Sequence, residues 1–134
     1  MARKPRSTPH TRPSDAEMDI LNILWKYGAA TVRQVHEHLT QIKPSQYTTT
    51  LKLMQIMAEK GLLERDETDR SHVYHTRFPR ERVQRQLAAH LMDRVFGGSA
   101  RNLLQGALNA RKTSKKELAE IRQILEDYAK GQKR

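Results

Sequence analysis

The segment Ser45 to Leu63, S-Q-Y-T-T-T-L-K-L-M-Q-I-M-A-E-K-G-L-L, constrains this chain more than any other. At about 100° per residue it divides into Thr50, Leu53, Met54 and Met57 on one side of a helix and Thr48, Lys52, Gln55 and Glu59 on the other. The spacing predicts one face in a core and one in water. Ser45, behind Pro44, is placed to cap the helix at its start, and Gly61 to end it in the left-handed conformation. Thr, Lys and Gln on the outer face suit a helix laid in a DNA major groove, because these side chains reach base edges and phosphates. An ordinary solvated face carries the same pattern, so the flanking chain has to decide.

Upstream, S-D-A-E at Ser14 to Glu17 is a capping box that opens a helix, and Met18, Leu21, Leu24 and Trp25 recur at helical spacing until Gly28. Trp25 is expected to anchor the core. A second box, T-V-R-Q at Thr31 to Gln34, opens a helix with Val32, Val35 and Leu39 inward, and Arg33 at its exposed start is a candidate phosphate contact. Downstream of Gly61, Leu62 to Asp66 and His72 to Phe78 alternate on either side of a polar turn, E-T-D-R-S, which predicts a β-hairpin. Three helices and a hairpin make a winged helix over residues 14–78. Arg70 and His72 stand where a hairpin tip would touch a phosphate, whereas Asp66, Glu67 and Asp69 lack EF-hand spacing and read as solvated acids.

From Pro79 the pattern is helical again. Val83, Leu87, Leu91 and Val95 form a stripe that stops at Gly97 and Gly98; Ala100, Leu103, Leu104, Ala107 and Leu108 form a second. A third capping box, Ser114 to Glu117, opens a helix carrying Leu118, Ile121, Leu125 and Tyr128 at heptad-like spacing. So short a piece could close on itself as a minimal bundle, but exchanging these faces with a second chain is more economical. The expected class is therefore mainly α: a winged helix-turn-helix, then a helical dimerisation domain over 79–134.

Charge is distributed unevenly. The chain carries +10 overall, but residues 14–77 hold eight Lys or Arg against nine Asp or Glu, while residues 78–134 hold thirteen against six. Residues 1–13 hold Arg3, Lys4, Arg6 and Arg12 with no acid, and three prolines, which predicts a disordered basic arm that either enters a minor groove or serves only solubility. The overall balance favours nucleic acid or an anionic surface. No apolar run could span a bilayer or act as a signal peptide, so a soluble cytoplasmic protein without membrane insertion is expected. A basic RNA- or ribosome-associated module is the alternative, but aromatic residues are only 5% and scattered, with no stacking platform.

Catalysis finds little support. There is no Cys, no G-x-S-x-G elbow and no phosphate-cradling glycine loop. His36 and His38, two apart on a helix, point to different sides and do not form the H-E-x-x-H ligand pair. Neither metal nor cofactor is expected, and the chain is not read as an enzyme.

The runs S-D-A-E-M-D-I-L-N-I-L-W-K-Y-G, A-T-V-R-Q-V-H, Y-T-T-T-L-K-L-M, A-E-K-G-L-L-E-R, F-G-G-S and S-K-K-E-L-A-E-I-R-Q-I-L, in that order, resemble the penicillinase/methicillin repressor (BlaI/MecI-like) family. The resemblance implies a homodimeric repressor on a two-fold symmetric double-stranded operator. It places the base-reading helix on Tyr47 to Gln55, with Thr48, Thr49, Leu51 and Lys52 as operator contacts; the family often has a basic residue at Leu51, which leaves the operator sequence open. The expected DNA-binding set is Arg33, Gln46, Tyr47, Thr48, Thr49, Leu51, Lys52, Gln55, Arg70 and His72. The expected dimerisation set is Val83, Leu87, Leu91, Leu103, Leu104, Leu118, Ile121 and Leu125. Sensor-linked members are inactivated by cleavage of an Asn–Phe bond, a place held here by Gly106 and Ala107, and the copper-responsive branch uses cysteines that this chain lacks. The inducer or protease that would release this chain is therefore unassigned.

Overall fold

The structure, a computed structural model, describes residues 12–68 and 70–132. The basic arm expected over 1–13 lies outside the described residues up to residue 11, as does Asp69 of the hairpin turn. Contacts divide the chain into two compact units, 1–88 and 89–134.

The first unit begins with α1 (Asp15–Tyr27), α2 (Val32–Thr40) and α3 (Tyr47–Glu59). Both capping boxes form in full: the Glu17 amide donates to Ser14 Oγ at 3.2 Å while the Ser14 amide donates to Glu17 Oε1 at 3.0 Å, and Thr31 and Gln34 repeat the exchange. Such caps satisfy helix-end donors that have no partner within the helix. On α1 the buried apolar residues are Ile20, Leu21, Ile23 and Leu24, whereas Met18 and Trp25 are half-buried against that core. Trp25 anchors differently from a fully buried residue, its Nε1 donating to the Phe78 carbonyl at 3.2 Å. On α2, Val32, Val35 and Leu39 are inside, as their spacing predicts.

Ser45 does not cap α3. The cap is Gln46, with no side-chain capping bond, and Ser45 Oγ turns back to the Lys43 carbonyl at 3.5 Å. With Tyr47 the first helical residue, an oxygen at Ser45 lies one residue too early to meet the free amides of the first turn. The other end forms as expected. Gly61 adopts φ +85°, its amide donates to the Ala58 carbonyl at 3.2 Å, and the Leu62 amide reaches the Met57 carbonyl at 2.9 Å. This paired reversal needs a left-handed residue, which glycine supplies without steric cost.

Strands β1 (Leu63–Asp66) and β2 (Val73–Thr76) form an antiparallel hairpin with Leu63 opposite Thr76 and Asp66 opposite Val73. Leu63 and Tyr74 enter the core. An additional bridge joins Ala30 to Tyr74 through reciprocal backbone bonds of 3.0 and 2.8 Å, so the α1–α2 loop acts as a third short strand and holds the hairpin onto the helices. The assembly is a winged helix-turn-helix. Helix α4 (Arg80–Val95) follows, and the division between the units falls within it.

The second unit contains the end of α4, α5 (Ala100–Ala110) and α6 (Lys115–Gln132). Ser99 caps α5 by accepting from the Asn102 amide at 3.0 Å, and Ser114 accepts from the Glu117 amide at 3.0 Å. Phe96 lies so close to Gly106 that a β-carbon there would meet the ring at 2.9 Å. No residue described between 89 and 131 is buried.

Candidate nucleic-acid interface

Helix α3 stands on Thr50, Met54 and Met57, all fully buried, so its outward face is fixed relative to the hairpin and to α2. Thr48, Lys52, Gln55 and Glu59 are exposed and fall within about 60° of helical arc. Thr49 is exposed to one side of this stripe. Leu51 lies on the other flank and packs partly against the core, so much of its side chain is engaged there. At the start of the helix Gln46 and Tyr47 are exposed, and the absence of a side-chain cap leaves first-turn amides for an external acceptor.

Helix α2 contributes from the side. The Arg33 guanidinium lies 5.2 Å from the centre of the Tyr47 ring, and His36 meets the same ring edge-on at 5.5 Å. His36 Nδ1 is 3.0 Å from Thr50 Oγ1. His38 turns the other way and stacks on Tyr27 at 3.8 Å, so the two histidines serve different neighbours. Among the described residues no three His, Asp or Glu side chains gather as a metal-ligand set.

Two ion pairs fix this framework from behind. Lys60, just past α3, donates to both oxygens of Glu17 at 2.9 and 3.0 Å, and Glu17 is only 4% exposed. Lys43 in the α2–α3 loop meets Asp19 at 3.2 Å. Glu17 was legible only as the last residue of a capping box. Its second partner is 43 positions away.

The hairpin carries acids of its own. Glu64 pairs with His75 at 3.1 Å and Arg77 at 3.8 Å, and Glu67 pairs with Arg65 at 2.6 Å. Hydrogen bonding to Tyr74 and then to Glu67 raises the Arg65 pKa above its ordinary range. The Thr68 hydroxyl and amide, both bonded to the Asp66 carboxylate, lower that group below the usual carboxylate range. These acids are thus occupied locally, while Arg70 and His72 are exposed at the turn.

The apolar residues expected at a dimer contact divide into three groups. Val83, in the span of the first unit, is only 5% exposed, so little of it is left for a partner. Leu87, Leu103, Leu104 and Ile121 are half-buried, and Leu91, Leu118 and Leu125 are exposed. On α6, Ile124 and Tyr128, at 64% and 65% exposure, extend the face of Leu118, Ile121 and Leu125. Ile124 falls outside the heptad positions, yet the five residues span only about 120° of arc.

The penicillinase repressor family matches residues 13–127. The penicillinase repressor of Staphylococcus aureus is 21% identical over 117 residues, covering 87% of this chain and 93% of that protein. The methicillin resistance regulatory protein MecI of Staphylococcus aureus is 21% identical over 112 residues, covering 84% and 91%. The transcriptional regulator BlaI of Mycobacterium tuberculosis is 38% identical over 65 residues, covering 48% and 47%. One match thus spans the three helices, the bridged hairpin and most of the helical second unit, and on that extent the chain belongs to the penicillinase repressor family.

Proposed function

We propose that this chain is a sequence-specific DNA-binding transcriptional regulator that represses as a homodimer on a two-fold symmetric operator. The observation that carries the proposal is the exposed face of α3, where Thr48, Lys52 and Gln55 line up above a buried row of Thr50, Met54 and Met57. A helix about 10–12 Å across fits the major groove, and these side chains supply donors and acceptors to its base edges. Tyr47, Thr49, Gln46 and Arg33 flank the face, and Arg70 and His72 reach backbone phosphates from the hairpin. Leu51 supplies at most an apolar contact at its exposed edge.

The dimer is supported by the second unit. Leu118, Ile124, Leu125 and Tyr128 are exposed on one face of α6, and residues 89–131 include no buried position. A second copy covers that surface and sets two α3 helices about one DNA turn apart, roughly 34 Å. The candidate contact on this reading is Leu87, Leu91, Leu103, Leu104, Leu118, Ile121 and Leu125, with Ile124 and Tyr128 added. No described helix is long and apolar enough to cross a membrane, which accords with action on DNA in the cytoplasm.

Genomic footprinting of the full chain, followed by titration of the recovered operator, a half-site and random duplex, tests the proposal. A two-fold symmetric footprint and tight binding to the whole site are expected. Equal binding to operator and random duplex, or preference for single-stranded RNA, would overturn it.

A further inference from the structure

The cluster joining α2 to the first turn of α3 contains a residue that none of the DNA-contact assignments uses. His36 is half-buried, its Nδ1 is 3.0 Å from Thr50 Oγ1, and Thr50 is fully buried in the core side of α3. The Thr50 hydroxyl in turn donates to the Gln46 carbonyl at 3.5 Å. The Thr50 hydroxyl thus has two neighbours, and which of Thr50 and His36 donates across the 3.0 Å contact follows the imidazole tautomer. The same imidazole meets the Tyr47 ring edge-on at 83°, while Arg33, one turn earlier on α2, lies over that ring. Gln46, Tyr47 and Thr50 are thus tied to α2 at the end of α3 that lacks a side-chain cap.

We propose that His36 is the positioning residue of the DNA-reading helix: by holding Thr50 and the Tyr47 ring, it fixes the first turn of α3 and thereby the operator-versus-random discrimination of the protein. This rests on α3 being the reading helix. The physical argument is one of tolerance. Non-specific attraction depends on how many phosphates are neutralised and survives a small displacement of the helix, whereas base contacts need donors and acceptors in fixed places. A shift at the start of α3 moves Thr48 and Thr49 off their partners while leaving the charge near the DNA unchanged. His36 touches no DNA on this reading and acts only through Thr50 and Tyr47.

The test uses the full chain and three substitutions. His36→Leu removes the ring nitrogen and keeps apolar bulk; His36→Asn places an amide near the position of Nδ1; Thr50→Val removes the hydroxyl at similar volume. Thermal melting is recorded for each, and only folded variants are compared. His36→Leu is expected to lower operator affinity about tenfold, the size of one good base contact, with random-duplex affinity unchanged. His36→Asn should recover most of that loss, and Thr50→Val combined with His36→Leu should be no worse than either alone. Equal losses on operator and random duplex, strictly additive losses, or no difference between Asn and Leu would overturn the assignment. Proton NMR of the Tyr47 ring in the DNA-free variants separates the two levels of the argument. A ring environment altered by Leu and restored by Asn supports the clamp even if no operator exists, and an unaltered ring overturns it whatever the DNA does.

Discussion

The two units of this chain solve the burial problem differently. In the first, Ile20, Leu21, Val35, Met54, Met57, Leu63 and Tyr74 are almost wholly removed from water by neighbours from three helices and the hairpin. In the second, Leu118, Ile124, Leu125 and Tyr128 remain 41–65% exposed. The helices of both units carry apolar residues at helical spacing. Apolar periodicity therefore states that a face will be covered, but not by what. The first unit covers its faces with its own chain. The second offers them outward, which supports association as the step that completes it.

The largest expected effect tests that distinction. Leu118→Asp with Leu125→Asp places charge on the open face of α6, and operator affinity should fall by about 10² to 10⁴ as the second DNA contact ceases to be intramolecular. Light scattering should report single chains whose first unit still melts cooperatively. A double variant that stays dimeric would break the comparison.

Met54→Ala, in the closed core, should cost about 2–5 kcal/mol of folding stability in denaturant titration, because a fully buried side chain leaves a cavity. Leu125→Ala should leave the melting of the first unit unchanged and act only on dimer dissociation. Next comes the buried pair behind α3. Lys60→Met leaves Glu17 without its cation and should cost about 2 kcal/mol, with the partial exposure of Lys60 reducing the figure for a wholly buried pair. Adding Glu17→Met should restore only part of the loss, because it also removes the acceptor of the Ser14 amide.

Lys52→Ala should leave stability intact and weaken operator binding by about 1–3 kcal/mol if it reads a base, with one position of each half-site relaxed. The smallest effect concerns Asp66. Its carboxyl is lowered by the Thr68 hydroxyl first and the Thr68 amide second. A depressed folded value means that the contribution is complete above the ordinary carboxylate range and disappears as pH falls through the folded value. Thr68→Val should move the NMR titration of Asp66 upward, toward the usual range. No movement would remove the hydroxyl as the cause.

Local chemistry was legible in the chain. The boxes Ser14/Glu17 and Thr31/Gln34, the stop at Gly61 and the inward rows of α2 and α3 all depend on residues within a turn of one another, where spacing alone brings groups together. Even here the start of α3 shifted from Ser45 to Gln46, because a one-residue change in where the helix begins decides which oxygen can reach an amide. The alternation around the turn likewise defined the hairpin, but not the Ala30–Tyr74 bridge that secures it.

The three-dimensional arrangement decided the rest. That Glu17 is buried against Lys60, that His36 holds Thr50 and Tyr47, that Leu51 leans on the core and that Val83 belongs to the first unit are meetings of residues far apart in the chain or of neighbouring elements at a particular angle. Periodicity assigns a side chain to a face. Only packing determines whether that face meets the same chain, a ligand or open water, since burial depends on which distant surface arrives there and how closely it fits.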